Sequence, residues 1–102
     1  MAVTEWSLVV ETFTRAEGGD AARFRRVLGV ADAMAGAGGG ELLVPIVTGR
    51  PQVAGEVAET APRARVFDAT GLGYDEAKML AAREARGRFV LYLDGDCLPE
   101  EG

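Results

Sequence analysis

Residues Phe89 to Leu93, FVLYL, form a continuous apolar run with Gly87 before it and Asp94-Gly95-Asp96 directly after it. An apolar run of this length between turn formers reads as a strand, and one that is apolar on both faces reads as a central, covered strand of a parallel sheet. That reading constrains the chain more than any other, because parallel neighbours must be joined by crossover connections, usually helices. In open α/β sheets the binding crevice lies outside the carboxyl ends of the strands, and here that edge carries two aspartates. Residues i and i+2 of an extended segment point to the same side, so Asp94 and Asp96 can converge while Gly95 lets the backbone turn beneath them. Like charges about 4 Å apart repel by on the order of 4 kcal/mol at an effective dielectric near 20, so the pattern calls for a divalent cation between them and any phosphate. Hard oxygen ligands favour Mg²⁺ or Mn²⁺. Taken alone, Asp-Gly-Asp also reads as a solvated turn; its place at the end of an apolar strand favours the site.

The rest of the chain alternates strands with helices. Trp6 to Phe13 contains Leu8-Val9-Val10 and reads as a second buried strand, with Glu11 as a carboxylate at its end that needs water, a partner or a ligand. Asp20 is a good N-cap for an amphipathic helix on which Phe24, Val27, Leu28, Ala31 and Met34 recur at helical spacing, with Arg23, Arg25 and Arg26 on the solvent side. The glycine run from Gly36 to Gly40 ends it and lacks dinucleotide-binding spacing. Leu42 to Val47 is the next strand, in which Pro45 removes a ladder donor and so suits an edge or a bulge. Pro51 opens a short helix with an apolar stripe of Val53, Ala54, Val57, Ala58 and Ala61, and Pro62 stops it. After a short strand over 64–67, Gly71-Leu72-Gly73 leads into a helix from Tyr74 to Arg86, whose narrow face of Ala77, Leu80, Ala81 and Ala85 allows close approach to a sheet. The expected fold is a three-layer, Rossmann-like α/β domain with a mainly parallel sheet.

The segment GLGYDEAKMLAAREARGRFVLYLDGDCLP, Gly71 to Pro99, resembles the nucleotide-binding half of the inverting GT-A family 2 glycosyltransferases. It holds in order a glycine-containing loop, a helix with an early basic residue, an alanine-rich stretch ending in a small residue and Gly, and an apolar strand closing on D-x-D. Ser7 to Thr14 is similar to that family's first strand and base-binding turn. The resemblance implies a GT-A type domain that binds a nucleotide-diphosphate sugar. Thr12 and Phe13 would meet the base, Lys78 the phosphate or base, Asp94 the ribose and metal, and Asp96 the Mn²⁺ or Mg²⁺. In such enzymes the metal stabilises the leaving diphosphate while a base activates the acceptor hydroxyl. Beside these readings, Phe13 equally fits a core position under the next helix, and Lys78 a surface ion pair with Asp75 or Glu84. The chain departs from the family pattern at Glu11, where proline is usual, and after the strand at 42–47, where one or two aspartates are common but this chain has Pro45-Ile46-Val47-Thr48-Gly49. The family's general base comes later than its D-x-D strand, and no residue here is assigned to that role. The expectation is therefore one donor domain over residues 1–102, truncated after the D-x-D strand. The alternative is a non-catalytic binding or assembly module that keeps the fold without the reaction.

Composition narrows the partners. The 102 residues are 48% hydrophobic, enough for one ordinary core. With 11 basic against 16 acidic residues the net charge is −5, and no basic cluster overturns it, which argues against nucleic acid. The absence of histidine removes Ser/His/Asp triads, Cys/His dyads and histidine-based zinc sites, and the single cysteine, Cys97, has no intramolecular disulfide partner. No apolar run approaches the ~20 residues that span a bilayer, so the expected setting is cytoplasmic without a membrane segment. A sheet ending at Leu93 would expose apolar surface and a strand edge, and a homodimer through that edge is expected.

Overall fold

The computed structural model describes residues 5–16, 20–46 and 51–93. Over these residues the order is β1 (Trp6–Val10), α1 (Phe13–Ala16), α2 (Ala21–Ala37), β2 (Glu41–Ile46), α3 (Pro51–Thr60), β3 (Arg65–Asp68), α4 (Tyr74–Glu84) and β4 (Phe89–Leu93). All three strand pairs are parallel and the sheet order is β3-β2-β1-β4. The expected α/β architecture is thus present, with a sheet that is parallel throughout the described residues. No helix among them is long and apolar enough to cross a membrane.

Alternation along the strands sends successive side chains to opposite faces and so builds two cores. Leu8 and Val10 of β1 with Leu42, Val44 and Ile46 of β2 meet α2 and α3 on one face. Val9 and Leu43 meet Ala81 of α4 on the other. Helix α2 is capped as its sequence predicts: the Asp20 carboxylate accepts the backbone N–H groups of Ala22 (2.8 Å) and Arg23 (3.4 Å). It buries Phe24, Val27, Leu28, Ala31 and Ala35, and full burial of each of the three largest is worth roughly 1.5–3 kcal/mol. Met34, expected on that stripe, is exposed, because the buried face drifts to Ala35 at the last turn. The stripe of α3 also differs: Val53, Glu56, Val57 and Ala61 are buried, whereas Ala54 and Ala58 face outward. Helix α4 turns Ala77 and Ala81 inward as expected.

Two strand expectations are corrected. Among the described residues the FVLYL run is not a central covered strand: β4 pairs there with β1 alone, at an edge of the described sheet, with Phe89, Leu91 and Tyr92 exposed. Pro45, expected at an edge or a bulge, lies in β2, which is an inner strand of the described sheet. The β1–β2 register ends at Val9↔Leu43, so Pro45 falls past the last ladder pair on that side and its missing N–H costs no bond there. Strand β1 is also shorter than expected, since Phe13 begins α1 instead of continuing it.

Glu41, the first residue of β2, ties together the amino ends of the strands. Its carboxylate accepts from Ser7 Oγ (2.6 Å), from Arg65 Nη1 (2.8 Å) and from the backbone N–H of Arg86 (2.6 Å). Ser7 Oγ in turn accepts the Gly87 N–H at 2.9 Å, and Arg65 also donates to the Glu84 carbonyl at 2.9 Å. Burial alone would raise the Glu41 pKa, but the bonds from Ser7, Arg86 and Arg65, with the Arg65 charge, hold it below the usual carboxylate range. Gly87 is required by this approach, because a Cβ there would lie 2.7 Å from Ser7 N, Ser7 Oγ and the Trp6 carbonyl carbon.

A candidate site at the carboxyl ends of β1 and β4

The chain steps from β1 outward to β2 and β3, then returns past β1 to lay β4 on its other side. In such sheets the reversal point opens a crevice at the carboxyl ends of the two strands flanking it, here β1 and β4. Val10 and Leu93 are in register at that edge, and the Glu11 N–H reaches the Leu93 carbonyl at 3.2 Å. The carboxyl end of β1 is therefore held against β4 up to the last described residue.

Thr12 is fully buried, and its hydroxyl donates to the Pro45 carbonyl at 2.8 Å. That carbonyl lies past the β1–β2 ladder, so the hydroxyl supplies the donor that no backbone group of β1 does. Thr12 thus acts as a tie between the turn after β1 and β2. Phe13 is half-buried and meets Tyr74 edge-on, with centroids 5.6 Å apart at 64°. The two rings join the start of α1 to the start of α4. Arg15, one turn on, makes a two-pronged pair with Glu56 of α3, Nε to Oε1 at 2.9 Å and Nη2 to Oε2 at 2.8 Å, both side chains largely buried. Charged pairs of this planar geometry are directional, and this one fixes the single-turn helix that presents Phe13. The α3 pattern read as plain apolar packing gave no sign of Glu56.

Lys78 lies one turn into α4 with its Nζ 4.6 Å from the centroid of Tyr74 and 5.2 Å from that of Tyr92. Neither surface partner expected for it is engaged: among the described residues Lys78 makes no ion pair, and Glu84 pairs with Arg65. The Tyr92 hydroxyl donates to the Lys78 carbonyl at 3.3 Å, linking β4 to α4. Both tyrosines escaped sequence reasoning. The available signal was strand alternation, which turns Tyr92 to the face opposite Leu91 and Leu93 and hence toward α4. The helix end itself adds little pull on an anion, since Asp75 and Glu76 occupy its first turn and Glu76 Oε1 accepts the Gly73 N–H at 3.1 Å.

The structure therefore brings Phe13, Tyr74, Lys78 and Tyr92 together, and Thr12, next to Phe13 in sequence, ties the turn to β2. Asp94 and Asp96, with Cys97 beside them, lie outside the described residues. Among the described residues no group of three carboxylate, thiol or imidazole side chains gathers as a metal set. Glu11, a buried carboxylate at the crevice, does not make one alone. The metal expectation thus rests on Asp94 and Asp96, whose oxygen donors suit a hard divalent ion. A cleft of about 250 Å³ lies at the opposite edge, lined by Glu41, Arg63, Arg65 and Arg86, where Arg65 is bound to Glu41 and Arg63 to Asp32. No family model, curated protein or solved structure matches the chain.

Proposed function

We propose that this chain is a donor-binding domain of the GT-A, family 2 glycosyltransferase type, which takes a nucleotide-diphosphate sugar at the carboxyl ends of β1 and β4. The observation that carries the reading is the cluster of Phe13, Tyr74, Lys78 and Tyr92 at the reversal point of the sheet. Aromatic faces suit a planar base, and a lysine ammonium serves as a point charge for phosphate. Asp94 and Asp96, which follow Leu93 in sequence, would hold Mn²⁺ or Mg²⁺, with Asp94 also near the ribose. When bound, such an ion supplies charge stabilisation to a departing diphosphate. The chain's own contributions are to orient the base through Phe13, to neutralise phosphate charge through Lys78, and to hold the turn after β1 through Thr12 and the Arg15–Glu56 pair. A second copy of the chain, the other expected partner, belongs to the sheet edge and not to this crevice.

A binding module without transferase activity is the second reading. It is favoured by the Thr12 hydroxyl being committed to Pro45 and by the lack of an aspartate in Val47-Thr48-Gly49. One experiment tests both. Melting is followed with a nucleoside diphosphate and Mn²⁺, separately and together, then with the nucleotide sugar while free sugar is assayed. Ligand at about 100 times its dissociation constant adds roughly 2.7 kcal/mol, several degrees in a domain of this size, and the shift is expected only with both components present. Asp96→Asn is expected to remove the shift and leave the apo protein folded. Identical melting of wild type and Asp96→Asn under nucleotide and Mn²⁺ would refute the donor-site reading. A shift without sugar release or transfer selects the module.

A further inference from the structure

We draw no further inference here: the strongest candidate, the shallow apolar groove that the exposed Trp6, Met34 and Leu91 border beside the outer edge of β4, carries nothing, because nothing among the described residues shows what covers it.

Discussion

The two ends of the sheet use polar and aromatic groups for opposite purposes. At the amino end, Glu41 gathers Ser7, Arg65 and the Arg86 N–H, and Ser7 takes the Gly87 N–H, so donors and acceptors are matched within the protein. At the carboxyl end, Tyr74, itself met by Phe13, and Tyr92 flank a lysine that makes no ion pair among the described residues. Matched polar groups stabilise, since removing one partner strands another, whereas an ammonium over rings keeps charge to offer a ligand. Substitutions at the amino end should therefore register as stability and those at the carboxyl end as ligand response.

The largest expected effect is at Gly87. Gly87→Ala forces a Cβ against Ser7 and Trp6 and should lower unfolding free energy by about 3 kcal/mol, measured by urea denaturation, as β1 and β4 are pushed apart. A change within a few tenths would mean that this end is looser than its geometry. Glu41→Ala should follow at about 2 kcal/mol, discounted because the side chain is not wholly buried. Its pH dependence sharpens the point. The folded-state pKa of Glu41 is depressed, so its stabilisation is complete above the unfolded carboxylate value and is lost as pH falls through the folded one. Glu41→Gln should flatten the stability profile in that acidic window and nowhere else; parallel profiles for wild type and variant would remove Glu41 as the hub.

At the carboxyl end Lys78→Ala should cost at most about 1 kcal/mol of stability, the scale of exposed cation–ring contacts, while reducing the nucleotide-dependent melting shift without abolishing it. Loss of stability comparable to Glu41→Ala would erase the distinction between the two ends. Tyr92→Phe is the smallest change. It removes one exposed 3.3 Å bond to the Lys78 carbonyl, and a difference of a few tenths of a kcal/mol in thermal melts is expected.

Much of this architecture is legible in the residues themselves. Asp20, the spacing of Phe24, Val27 and Leu28, and the small face of Ala77 and Ala81 give the helices their ends and buried sides before any coordinates. Strand order is not encoded locally, which is why FVLYL reads as central yet lies at an edge: an apolar run looks the same whether a helix, a strand or nothing covers it. Glu56 was missed because a charge inside an apolar stripe declares itself only once Arg15, far away in sequence, is folded against it. Tyr74 and Tyr92 were missed because each is unremarkable until a crossover brings α4 over β4. Thr12, Phe13 and Lys78 were singled out by the resemblance, and the structure adds what each touches.

The bond between Gly87 and Ser7 joins groups 80 residues apart along the chain. Every strand pair here is parallel and so non-local, but the β1–β4 pair that this bond adjoins closes the longest loop of the three, and loop closure must precede the contacts that reward it. On a ribosome β1 emerges first and waits for its β4 neighbour until some eighty further residues have been made. Through that interval the β4-facing side of β1, with Trp6 beside it, has no strand to pair with. Refolding followed by Trp6 fluorescence would report the arrival of Phe89, whose ring settles 5.0 Å from the indole as the sheet closes.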